Sequence, residues 1–170
     1  LAFSFIGTPV EHKDSFAWTI IDSFLCWGFS SYLYESIRES NGALYHLDSA
    51  HYQVPKMGVY ELSLQTNPDK ISLVERLITE GFEEAKKMSP TEFRKAKQKA
   101  VGRYDSRERT LNERREELAD EEQKRGNAEL VYNARRNITK VKIDQVRRVI
   151  QVPDFSSERR NFSSVYILPA

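Results

Sequence analysis

In "VYELSLQT", residues 59–66, the apolar residues Tyr60, Leu62 and Leu64 alternate with Glu61, Ser63 and Gln65. A strict two-residue period belongs to a strand with one dry face and one wet face. The chain must therefore build a sheet covered by other elements on one side and open on the other. Antiparallel sheets tolerate that arrangement, whereas parallel sheets are buried on both faces.

The rest of the chain supplies the cover. "LAFSFIGTP" reads as a buried strand ended by Gly7, Thr8 and Pro9. Asp14 is placed to cap a helix with Phe16, Ile20, Phe24 and Leu25 on one face, stopping at Gly28. Ser30 or Ser31 opens a second helix with Leu33 and Ile37 inward, and Asn41-Gly42 closes it. A strand is expected from Ala43 through "ALYHLDSAHY", joined by the hairpin-length "QVPKMG" to the alternating strand. Asn67 reads as the cap of a helix that has Pro68 in its first position, with Ile71, Val74, Ile78, Phe82 and Ala85 as its apolar stripe. Ser89 and Glu92 form a capping box for a helix facing inward through Phe93, Ala96, Ala100 and Tyr104.

Residues 103–125 carry seven basic and eight acidic side chains, the pattern of a solvated helix packing along a thin Leu111–Leu118 stripe. Short helices follow in "NAELVYNARRN" and in "KIDQVRRVIQV", where Val146, Val149 and Ile150 face in and Pro153 is the stop. "RRNFSSVYILP" reads as a closing strand. The fold class is α+β, an antiparallel-rich mixed sheet with helices packed on one face.

A chain of 170 residues suits one domain with its own core, and nine Phe, eight Tyr and two Trp supply the apolar bulk. The net charge of +1 gives no field for nucleic acid or an anionic membrane. The longest apolar run, "FAWTIIDSFLCW", is interrupted by Thr19, Asp22 and Ser23 and is too short to span a bilayer, so neither nucleic acid nor membrane insertion is expected. The single cysteine, Cys26, excludes an internal disulfide and reads as a buried inert thiol.

No catalytic machinery is recognisable in the residues themselves. His12, His46 and His51 lack the spacing of a helical zinc pair, His46 and His51 falling on opposite faces of a strand, and surface or edge positions are expected for them. No phosphate loop or nucleophile elbow exists. What remains is Arg38 at a helix end and Tyr45 at the start of the next strand, seven residues apart across "ESNGAL". Arg offers a charged fork to carboxylates or carbonyls, and Tyr a rigid hydroxyl able to donate to a carbonyl. The competing interpretation is that Arg38 serves its own helix C-terminus and Tyr45 is core.

"DSFAWTIIDSFLCWGFSSYLYESIRESNGALYHLDSAHY" resembles the non-catalytic half-domain of the insulinase, pitrilysin and mitochondrial processing peptidase family of zinc metallopeptidases. Ser30, Ser31, Leu33, Ile37, Arg38, Glu39, Gly42 and Tyr45 occupy matching positions, and the likeness continues through Glu92, Ala96 and Lys97 and on into "ITKVKIDQVRRVI" and the last strand. One departure is "CWGF", which keeps only Gly28 where the family has consecutive glycines.

The resemblance implies the metallohydrolase fold of that family, with residues 1–170 forming one half-domain of a longer chain. It implies no metal in this half and zinc on a homologous His-x-x-Glu-His half, fused or separate, which closes with it around an unstructured peptide. Arg38 and Tyr45 are then substrate-binding, the polar face of Glu61, Ser63 and Gln65 is chamber wall, and the peptide adds at a sheet edge. An isolated half would expose the surface that normally meets its partner, which leaves a homodimer open to it. The compartment implied is the periplasm for a bacterial protein and the mitochondrion for a eukaryotic one. The alternative is a structural or peptide-binding scaffold of the same fold with no part in proteolysis.

Overall fold

The alternating strand lies at the centre of the molecule. A computed structural model describes residues 1–106, 110–153 and 162–167. Four strands, β1 (Ala2–Gly7), β2 (His46–Val54), β3 (Met57–Gln65) and β4 (Phe162–Val165), form one sheet in the order β2-β3-β1-β4. All three pairings are antiparallel, so no parallel pair occurs among the described strands. The helices are α1 (Ala17–Leu25), a π-helix (Tyr34–Glu39), α2 (Ile71–Lys87), α3 (Pro90–Ser106), α4 (Leu111–Arg125), α5 (Ala134–Lys140) and α6 (Ile143–Val149). None is long and apolar enough to cross a membrane.

Register explains which residues are covered. Phe3, Leu62 and Ser49 share one rung, and Phe5, Tyr60 and His51 the next, all on the helix-covered side. There Trp18, Tyr60, Phe3, Phe82, Ile20 and Leu62 are almost completely buried, with α1 as the central helix of the cover. Burying a large side chain of this kind contributes on the order of 2 kcal/mol, so this face carries most of the stability.

The open face is not polar throughout. Near β3's C-terminal end it carries Gln65, Ser63 and Glu61 with His46, Asp48, Ser4 and Ser163. Towards the β2–β3 hairpin it becomes apolar, with Tyr52, Val59 and Ile6 on one rung and Val54 opposite Met57.

Several local expectations change. Asp14 does not cap α1, which has no side-chain cap. The Asp14 carboxylate is buried and takes Arg148 at 3.0 Å and Gln145 at 2.7 Å, a partner 134 residues away winning over the local amide. The Arg148 guanidinium beside it holds its carboxyl below the usual carboxylate range. β2 begins at His46 rather than Ala43, because Ala43 and Leu44 are buried in the approach from the helix.

Asn67 does not cap the following helix with its side chain, and Pro68–Lys70 is a 3-10 turn ahead of α2. Leu111 is 92% exposed, so α4 has no leucine stripe. α4 starts at its own Thr110–Glu113 capping box and carries internal pairs such as Arg125–Glu121 at 2.9 Å. The expected passage of a charged helix through 107–109 lies outside the described residues, as do the ends of the expected closing strand.

His51 lies on the edge strand β2, as expected, but its side chain is half-buried on the covered face of the sheet. Its ring lies 5.1 Å from that of Trp18, and its Nε2 lies over Gly7, where a Cβ would come within 2.6 Å of it. Burial lowers its pKa to about 4, so it is neutral at physiological pH.

Candidate functional site

The segment between α1 and β2 carries the candidate site. After α1 ends, Gly28 takes a left-handed conformation (φ 84°), flanked by Trp27 and Phe29, the latter 80% exposed. Ser31 and Leu33 are buried and start the next helix, whose last six residues, Tyr34–Glu39, are π-helical, as in the bond from Ser40 N–H to the Glu35 carbonyl at 3.0 Å. A π-turn holds one residue more than an α-turn and is frequent at functional sites. Ile37 stays in the core, while Arg38 points out.

The helix closes on itself through Gly42 (φ 55°): Gly42 N–H donates to the Arg38 carbonyl and Ala43 N–H to the Ile37 carbonyl, both at 2.8 Å. A left-handed glycine satisfies the last carbonyls in this way. Arg38 does not serve the helix terminus with its side chain. Its guanidinium donates to the Tyr34 hydroxyl and sits 5.1 Å from that ring's centroid, and Phe29 meets the same ring edge-on at 5.1 Å.

Tyr45 is not core. It is 62% exposed, its N–H donates to the Gln65 carbonyl at 2.9 Å, and its hydroxyl reaches Asn67 Oδ1 at 3.3 Å. Arg38 and Tyr45 are thus both presented to solvent from the two ends of one closed turn, and no hydrogen bond joins their side chains among the described residues. Exposed and uncommitted to the core, the two can meet a ligand without dismantling the fold.

Beside them runs β2, an edge strand. The Asp48 carboxylate accepts the Ser49 N–H at 2.9 Å, an acidic guard on an open edge. A cavity of about 270 Å³ adjoins it, lined by Trp27, Phe29, Tyr34, Leu47 and Arg103 among others. Underneath, the buried Asp22 carboxylate accepts from Tyr60 at 2.9 Å, from Ser49 Oγ and from Arg103, tying α1 to β2, β3 and α3. Asp22 was not anticipated as a hub, although an acid in the apolar face of "FAWTIIDSFLCW" was its signal. Cys26 lies 3.3 Å from the Tyr60 hydroxyl, and burial pushes both groups' pKa values upward, which disfavours the thiolate.

Lys70 and Asn67 were also missed as site residues. Each contacts the Arg38–Tyr45 turn from a segment that is remote in sequence. For metal, no group of three or more His, Cys, Asp or Glu among the described residues is placed to hold an ion.

Residues 1–100 match the peptidase M16 inactive-domain family. This chain belongs to that family. The fold agrees: a peptidase M16 inactive domain from Pseudomonas fluorescens is similar over 89% of this chain and 38% of its own, with 18% identity and a TM-score of 0.72. A protease from Helicobacter pylori is similar over 87% of this chain and 36% of its own, with 19% identity and a TM-score of 0.73. The inactive peptidase domain of a candidate zinc protease from Bordetella parapertussis is similar over 87% and 80% of the two chains, with 16% identity and a TM-score of 0.69. The M16 inactive domain described here spans little more than a third of the Helicobacter and Pseudomonas chains. No curated protein matches it.

Proposed function

We propose that this M16 inactive domain is the substrate-binding, non-catalytic half of a zinc metalloendopeptidase, and that residues 1–170 form one half-domain of a longer chain or assembly. A homologous half, fused or separate, carries the zinc and the hydrolytic chemistry. This half holds an unstructured peptide against it. The observation that supports the reading is the pairing of Arg38 and Tyr45 on one closed turn, both exposed, with Tyr45 directly ahead of the edge strand β2. Arg38 offers charged donors to a backbone carbonyl near the scissile bond, where orientation alone lowers a barrier by several kcal/mol. An extended peptide adds along β2 once Asp48 releases the Ser49 N–H, and the polar end of the open sheet face lines the chamber.

The test is cleavage of a quenched, unstructured peptide by the full protein with its zinc-bearing half. Arg38→Ala is expected to lower kcat/KM by roughly a hundredfold with zinc content unchanged. Rates equal to wild type would reject the substrate-binding role and favour a scaffold.

A further inference from the structure

The 3-10 turn that precedes α2 touches the Arg38–Tyr45 turn at three points. Lys70 Nζ donates to the Asn41 and Gly42 carbonyls, both at 3.1 Å, and Asn67 Oδ1 receives the Tyr45 hydroxyl at 3.3 Å. Those two carbonyls lie at a helix C-terminus, where backbone dipoles leave partial negative charge and an ammonium group is favoured. The turn that delivers both side chains is itself stiff. Pro68 fixes its own φ, Lys70 N–H bonds to the Asn67 carbonyl at 3.0 Å, and α2 continues from it into the core through Val74 and Ile78. Asn67, freed from capping that helix, spends its side chain on Tyr45 instead.

We propose that Asn67 and Lys70 are positioning residues for the Arg38–Tyr45 pair, together bracing its turn against the rigid start of α2. The proposal rests on the substrate-binding reading above. Lys70 fixes the turn's backbone, and Gly42, in a conformation open to many alternatives, is where slack would otherwise enter. Asn67 fixes the direction of one proton. With its hydrogen given to Asn67, the Tyr45 oxygen presents lone pairs to solvent, while Arg38 presents donors. The turn then offers an extended peptide both a donor and an acceptor, Arg38 for a carbonyl and Tyr45 for an N–H. This differs from the donor role that the sequence suggests for Tyr45.

The experiment uses the full protein with its zinc-bearing half and the quenched peptide assay. It compares Asn67→Ala, Tyr45→Phe and their double variant, then Lys70→Met and Lys70→Arg, with zinc content and hydrogen exchange at the Gly42 and Ala43 amides measured throughout. Asn67→Ala is expected to lower kcat/KM roughly fivefold when Tyr45 is present and not at all in the Tyr45→Phe background, since Phe has no proton to direct. Lys70→Met is expected to cost roughly tenfold and to speed exchange at Gly42 and Ala43, with Lys70→Arg recovering most of both. Equal losses from Asn67→Ala in both backgrounds, or wild-type kcat/KM and exchange in Lys70→Met, would overturn the brace while leaving the binding role of Arg38 intact. If Arg38→Ala and Tyr45→Phe both cleave at the wild-type rate, the substrate-binding reading fails first and the brace falls with it.

Discussion

The Asp22 carboxylate accepts the Tyr60 hydroxyl at 2.9 Å in the floor of the candidate site, and both residues are buried. Ser49 on the edge strand and Arg103 on α3 share the same carboxylate, so one acid joins α1 to the sheet and to α3. Removing it strands three polar partners, and an orphaned buried donor costs more than a lost hydrogen bond. Asp22→Ala is expected to destabilise the domain by about 3 kcal/mol. Arg103→Ala, at a side chain 41% exposed, should cost about 1 kcal/mol. Midpoints of urea unfolding for the two variants test that order.

His51 sets an acid limit. Its folded pKa of about 4 lies below the ordinary value of 6.5, so between those pH values the unfolded chain binds more protons than the folded one. Stability therefore falls as pH drops from 6.5 towards 4, by at most about 3 kcal/mol, and this contribution levels off below that window. Asp14 and Glu92, with pKa values lowered from 3.8 and 4.5, add their losses as pH falls through those ordinary values, so Glu92 overlaps the acid end of this window and Asp14 continues below it. His51→Leu is expected to flatten the slope between pH 4 and 6.5 in urea unfolding midpoints, and an unchanged slope would place the acid sensitivity elsewhere.

Gly58 and Gly7 face each other across β3 and β1 but should respond differently to a methyl group. A Cβ on Gly58 would meet the Thr8 carbonyl oxygen at 2.0 Å, a clash with backbone, whereas one on Gly7 would meet His51 Nε2 at 2.6 Å, the end of a side chain that can turn. Gly58→Ala should cost about 3 kcal/mol or more and Gly7→Ala about 1 kcal/mol, read as the difference in thermal midpoints.

The Thr110–Glu113 capping box starts a helix with no buried residues. Such a helix leans on its own terminus, so Thr110→Ala is expected to cost about 1 kcal/mol locally. Faster hydrogen exchange confined to α4, with exchange in α1 and β3 unchanged, is the expected signature.

The sheet, its order of elements and many core positions were legible from periodicity alone, but the buried Trp18, Ile21, Leu77, Ile138 and Val141 were not picked out, and Phe16, Phe24 and Phe93 are only partly buried. Tyr60, Leu62 and Leu64 needed only their alternation, and Val74, Ile78 and Phe82 only their helical spacing. Caps were legible where both partners lie within three residues, as with Ser89 and Glu92. Asp14 and Asn67 went astray because partners distant in sequence, Arg148 and Tyr45, compete for side chains that would suit a local cap. The open face was read from one strand, and only the pairing of β2 with β3 and of β3 with β1 puts Tyr52, Val59 and Ile6 on a common rung. At the site, residue type and spacing picked out Arg38 and Tyr45. The Asn67–Lys70 brace had no sequence signal, since its three contacts depend on where α2 begins in space.

The π-helix turns the position of Arg38 into a matter of counting. An α-helix advances about 100° per residue, so a chain one residue shorter between Leu33 and Arg38 could still form a helix here while swinging the guanidinium about a quarter-turn from Tyr34. Such a deletion would swing the fully buried Ile37 out of the core by the same angle, so the aim of Arg38 and the packing of Ile37 are set together. The extra residue of the π-helix thus lets one short segment keep Ile37 inside and Arg38 outside, and an insertion or deletion at this point is felt by the fold as well as by the site.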